Sequence, residues 1–203
     1  YAFHVARKGH RLPAMKRLAA QSSMLVTDLF PMPPWTEWVR AVGKIANGPL
    51  VEVDGHCVIP MPLYGKSVDR PFKFRDATKK FRKARLQRAW PTLDLSVKPY
   101  LGELPFTPVE SDDLANPQRR WAILRACDID PTVWPVFSQR GGEQRALERW
   151  EAFKLNGLNG YARRRNDAAN ANGVSRMSAF IHYGNISVMK IARESADFGT
   201  KSA

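Results

Sequence analysis

The chain has 203 residues, 44% of them hydrophobic and 25% charged, a composition that supports a buried core and excludes a disordered or fibrous polymer. Lys and Arg number 32 against 19 Asp and Glu, a formal net charge of +13, so polyanions are the natural partners. The charge itself is compatible with a nucleic-acid surface, a basic membrane-facing patch or a merely solvated face.

Only Cys57 and Cys127 are present, with no His or Cys at ligand spacing, so neither a disulfide framework nor a metal site is expected. No apolar run approaches the roughly 18 residues of a membrane span, and the N-terminus lacks a charged-then-apolar signal pattern. These features predict an intracellular protein without a membrane segment. The chain opens on Tyr1 with residues that read as the inside of a fold, and it is expected to be a piece of a longer protein.

In chain order, Tyr1 to Ala6 reads as a short apolar strand, and Leu12, Met15, Leu18 and Ala19 lie at helical spacing within 12–21. Met24 to Thr27 forms a second strand ending at Asp28. After the Pro31 to Pro34 breaker, Trp35, Trp38, Val39, Val42 and Ile45 mark an amphipathic helix that Asn47-Gly48-Pro49 stops. Leu50 to Val53 is the third strand. Strand, helix, strand, helix, strand predicts a parallel α/β sheet with right-handed crossovers, and no Gly-x-Gly-x-x-Gly follows any of the strands.

Between Lys66 and Arg88 stand ten Lys/Arg and two Asp, with Phe74, Ala77, Phe81 and Ala84 on one helical face that should be buried. This is a DNA-facing basic helix or a solvated linker helix. Residues 91–117, rich in Pro, Leu and turn formers, read as a connector. Helical signals dominate from Asn116: one helix carries Trp121, Leu124 and Arg125, Asp130-Pro131-Thr132 caps a short second one, and Gly141-Gly142 precedes a long third. In the third, Ala146, Leu147, Trp150, Phe153 and Leu158 share a buried face, with Gly157 and Gly160 ending it.

The chemistry-bearing stretch is Gly160-Tyr161-Ala162-Arg163-Arg164-Arg165-Asn166-Asp167, followed by Gly173-Val174-Ser175-Arg176-Met177-Ser178 and then His182 to Ser187. A tyrosine hydroxyl, arginines, a tight turn at Gly173 and hydroxyls at a helix start suit an anionic ligand. Ser175 would cap a helix beginning near Arg176, Gly184 would end it, and Asn185 or Ser187 would cap the next. A plain Ser-x-x-Ser helix cap is the alternative. Three consecutive arginines point in different directions, so one or two of them could grip a nucleic-acid backbone while the others stay solvated.

This stretch resembles the photolyase/cryptochrome flavoproteins, with Tyr161 four places before Arg165, then Asn166-Asp167, a loop, Gly-x-Ser-x-x-Ser and His-Tyr-Gly-x-Ile-Ser. Val174 stands where many members carry threonine, and Met177 where most carry leucine. Val26-Thr27-Asp28 and Val53-Asp54-Gly55-His56-Cys57-Val58-Ile59-Pro60 further resemble segments of class II photolyases, His56 itself being read as a structural histidine. The resemblance implies an α/β then all-α architecture: 1–65 as the C-terminal part of a Rossmann-like parallel α/β antenna domain, 66–115 as basic helix and connector, and 116–203 as the opening helices of an all-helical FAD-binding domain.

It also implies that Tyr161, Val174, Ser175, Arg176, Met177 and Ser178 bind FAD, that Arg165, with Arg164 beside it, contacts DNA, and that a second antenna chromophore accompanies the flavin. The implied activity is light-driven repair of cyclobutane pyrimidine dimers in double-stranded DNA by a monomer, with no metal. The rest of the flavin pocket would lie beyond Ala203, so the chain by itself is expected to be inactive. A cryptochrome-type photoreceptor and a non-enzymatic basic nucleic-acid-binding module are the alternatives.

Overall fold

The computed structural model describes every residue except Trp90, Leu95, Val97, Pro99, Ala171, Ser202 and Ala203. In chain order the elements are α1 (Ala14–Gln21), β1 (Leu25–Asp28), α2 (Trp35–Gly43), β2 (Leu50–Val53), α3 (Met61–Tyr64), α4 (Pro71–Ala77), α5 (Lys79–Gln87), α6 (Ser111–Ala115), α7 (Pro117–Ala126), α8 (Glu143–Asn156), α9 (Tyr161–Arg164), α10 (Ser178–His182) and α11 (Val188–Lys201). The described chain is thus mostly helical, with one small parallel sheet. It forms two compact units, each discontinuous in sequence: 1–53 with 93–135, and 54–92 with 136–203.

In the first unit, β1 and β2 pair in parallel with Leu25 opposite Leu50 and Asp28 opposite Val53, and α2 makes the crossover. The Trp35 indole N–H donates to the Asp28 carbonyl at 2.9 Å, pinning the start of α2 to the end of β1. The turn before β2 lies directly on the end of α1: Asn47 donates to the Ala20 carbonyl. A Cβ on Gly48 would collide with the Ser23 carbonyl, so only glycine fits there.

The predicted strand over 1–6 is reduced to one antiparallel bridge, Phe3 with Val109, so the described sheet has two strands and not three. Its partner comes from residues 104–109, and the His4 and Phe106 rings meet at 4.9 Å beside that bridge. Asn116 caps α7 by accepting the Arg119 N–H at 3.0 Å, with Pro117 in the first turn. Asp130 heads no helix. Its carboxylate accepts the Thr132 N–H at 2.8 Å and the Thr132 hydroxyl at 2.7 Å, a closed local turn that uses up the capping group.

In the second unit α8 forms as its periodicity predicts, burying Ala146, Trp150 and Phe153 and ending at Gly157. Met177 and Ile186 complete the core, with Leu147, Leu158, Tyr161, Phe180, Ile181 and Ile191 packed around it. The basic helix differs from expectation. Thr78 is fully buried at the junction of α4 and α5, where its hydroxyl and its N–H both donate to the Phe74 carbonyl, at 2.7 and 3.0 Å. The predicted stripe is not the buried face: Phe74 and Phe81 are 41% and 49% exposed, while Arg82, Arg85 and Leu86 turn inward. Arg193 of α11 donates to the Arg85 and Arg88 carbonyls, closing the C-terminal end of α5.

Candidate functional site

The stretch singled out in the sequence is built around the end of α8. That end exposes carbonyls with no helical partner, and Arg164, half-buried on α9, donates to the Gly157 and Asn159 carbonyls, both at 2.7 Å. Arg165, one residue on, is exposed and its guanidinium makes no hydrogen bond or ion pair among the described residues. Asp167 does not pair with it; its carboxylate accepts the Ala169 N–H at 3.1 Å. The Tyr161 ring stands edge-on to Phe153, with centroids 5.7 Å apart and planes at 87°, which fixes the tyrosine against the core.

Gly173 seats the next segment. A Cβ there would lie 2.7 Å from the Arg164 carbonyl oxygen and 3.1 Å from that of Asn170, so the backbone approaches closer than any side chain allows. Beyond it, α10 starts at Ser178 and not near Arg176. Ser175 consequently caps no first turn: its hydroxyl accepts the Met177 N–H at 3.4 Å, and α10 has no side-chain cap. Arg176 takes the left-handed conformation with φ 57°, and this interrupts helical geometry before Ser178.

Met177 is 2% exposed and belongs to the core, so only its backbone is available to a ligand. Val174 is 39% exposed, and Ser178 is exposed with no hydrogen bond from its hydroxyl among the described residues. Together with Gln139 and Ala179, residues 174–178 line an open cavity of about 400 Å³. At the far side, Gly184 ends α10 with φ 67° and Ser187 accepts the Lys190 N–H at 3.4 Å at the start of α11, as the sequence predicts.

A neighbouring cleft went unread in the sequence. Arg140, Arg145, Glu148, Arg149 and Arg176 line a cavity of about 510 Å³ together with Phe137 and Phe180. Arg149 donates from Nε to the Ser175 carbonyl at 2.9 Å, tying α8 to the loop. The available signal was the i,i+4 spacing of Arg145 and Arg149 on the side of α8 away from Trp150.

On the opposite flank, Glu194 of α11 accepts the Trp150 indole N–H and the Lys154 ammonium, each at 2.7 Å, and also bonds Lys190. Burial pushes its carboxyl up, but the three donors and the Lys154 charge outweigh that and hold it at about 2. Elsewhere in the unit, burial and the nearby Asp54 carboxylate raise the Cys57 thiol above its ordinary value, which disfavours the reactive thiolate.

Among the described residues no cluster of His, Cys, Asp or Glu is placed to hold a metal, and no helix is long and apolar enough to cross a membrane. The chain matches no protein-family model, and no curated protein is significantly similar to it.

Proposed function

We propose that the chain is part of a photolyase-like flavoprotein, nearest to class II, that binds FAD through Tyr161 and residues 174–178 and uses light to repair pyrimidine dimers in double-stranded DNA. What carries the reading is the coincidence of the motif with one cavity. Five of the six residues that the resemblance assigns to flavin, Val174 to Ser178, line the 400 Å³ opening beside α10, whereas Tyr161, packed edge-on against Phe153, is not part of its lining.

The donor set fits such an anion. The N–H groups of Ser178, Ala179 and Phe180 have no acceptor within α10, and the Ser178 hydroxyl lies beside them. Val174 contributes its backbone N–H in place of a threonine hydroxyl. Bound FAD would supply the photoexcited electron; this chain's part is to hold and orient it. Arg165, exposed and uncommitted within the described residues, suits a DNA phosphate, whereas Arg164 already serves the end of α8.

The antenna-domain assignment of 1–65 draws support from the parallel β1–β2 pair. Val26, Val51 and Val53 are 65%, 41% and 49% exposed on strands of a type that doubly wound domains cover on both faces. On this reading, 66–115 is the connector, a second chromophore belongs to the antenna domain, and the protein works as a monomer.

The test is the absorption spectrum and flavin-to-protein ratio of the full-length protein, wild type against Ser175→Ala/Ser178→Ala. A bound flavin that falls in the double variant is expected. A flavin-free wild-type protein, or a ratio unmoved by the double substitution, would refute the assignment.

A further inference from the structure

We propose that Asn159 is a site of spontaneous covalent modification, in which the Gly160 nitrogen displaces ammonia from the Asn159 carboxamide and the resulting cyclic imide opens in water to aspartate and isoaspartate. Four asparagines stand directly before a glycine: Asn47, Asn156, Asn159 and Asn172. Such pairs are labile because glycine has no side chain to hinder its backbone nitrogen from attacking the carboxamide carbon one residue back. Reaction requires that both the carboxamide and the glycine N–H be free to meet.

The fold withholds that freedom from three of the pairs. Asn156 closes α8 with its carboxamide donating to the Ala152 carbonyl at 3.1 Å, and the N–H of buried Gly157 is spent on the Phe153 carbonyl at 2.8 Å. Gly173 is buried, with its N–H on the Asn170 carbonyl at 2.9 Å. Asn47 donates from its carboxamide to the Ala20 carbonyl, while Gly48 is wedged against Ser23. Asn159 is different. It is exposed, and neither its carboxamide nor the Gly160 N–H makes a hydrogen bond among the described residues. The pair sits in a turn between α8 and α9, with Gly160 at φ 73° and the Tyr161 N–H on the Leu158 carbonyl at 3.2 Å. An exposed bond from Arg164 to the Asn159 carbonyl holds the intervening peptide and occupies neither reacting group.

In the first step the Gly160 nitrogen gives its proton to solvent and bonds the carboxamide carbon, whose bond to the amide nitrogen breaks as ammonia leaves. Water then adds to either carbonyl of the imide, so the net change is water in and ammonia out. The new carboxylate arises beside two guanidinium groups, because a Cβ on Gly160 would lie 2.8 Å from Arg164 Nη1 and 3.9 Å from Arg163 Nη2. It cancels one positive charge in the 163–165 cluster, and isoaspartate also lengthens the main chain by a methylene at the turn that Arg164 ties down. The site stands whether or not the chain binds flavin or DNA.

The full chain is held at mildly alkaline pH, with and without guanidinium chloride, and its peptides are sequenced by mass spectrometry to quantify acid in place of amide at each asparagine. Isoaspartate is read separately, by methyl transfer from labelled S-adenosylmethionine with an isoaspartyl methyltransferase as reagent. In the folded chain Asn159 should convert about fivefold or more faster than any of the other three, the factor that opening one hydrogen bond costs them. In denaturant the four should convert at similar rates. Asn159→Gln, whose longer side chain closes a ring far more slowly, should abolish methyl acceptance by the folded chain. The proposal is overturned if another pair converts as fast as Asn159 in the folded chain, if the same order persists in denaturant, or if the variant still accepts methyl groups as the wild type does.

Discussion

Replacing Glu194 by glutamine removes one negative charge from between two ammonium groups and leaves an oxygen that can still accept the Trp150 indole N–H. The carboxyl moves from an ordinary value of 4.5 to about 2 in the folded chain, which by linkage corresponds to about 3 kcal/mol of stability at neutral pH. Glu194 is 26% exposed and Lys190 40%, so solvent screening reduces the expected cost to about 1–2 kcal/mol. For a chain of this size that is a melting temperature lower by about 2–8 °C.

The sign follows from the direction of the shift. Because the folded value lies below the unfolded one, the contribution is complete above about pH 4.5 and is lost as pH falls towards 2. Circular-dichroism melts of wild type and Glu194→Gln across pH 7 to 2 should therefore show a gap that is full at pH 7 and closes in acid. No gap at pH 7, or one that stays constant down to pH 2, would refute the reasoning.

Gly173→Ala should destabilise the chain by about 1–3 kcal/mol in urea unfolding, because the new Cβ meets the Arg164 carbonyl oxygen at 2.7 Å and neither backbone can yield cheaply; wild-type stability would sink the close-approach argument. Arg164→Met, which keeps the stem and removes two hydrogen bonds to the Gly157 and Asn159 carbonyls, should cost about 2 kcal/mol. Arg165→Ala should leave the melting curve in place and, in the full-length protein, reduce the slope of log DNA affinity against log salt by about one; an unchanged slope removes Arg165 from the DNA surface. Thr78→Val, isosteric at a fully buried site, should cost about 1 kcal/mol by losing the bond to the Phe74 carbonyl, as read from the urea midpoint.

Where a segment's fate depends on its own periodicity, the sequence was sufficient. The apolar face of α8, the helix α2 between two parallel strands, the end at Gly184 and the cap at Ser187 follow from side chains three or four residues apart, or from one residue's backbone preference.

The tertiary structure decided whatever depended on a distant partner or on a competing local bond. Residues 1–6 became a single bridge because their partner, Val109, lies about a hundred positions away. The inward side of 71–87 carries Thr78, Arg82, Arg85 and Leu86 and not the phenylalanine stripe, and a threonine at the buried position is something hydrophobic spacing does not encode. Of three successive arginines, Arg164 was drawn to the open carbonyls at the end of α8 while Arg165 was left in solvent. The arginine cleft, too, joins α8 to a loop 26 residues further on, held by the Arg149 bond to the Ser175 carbonyl and by Met177 packed into the α8 core.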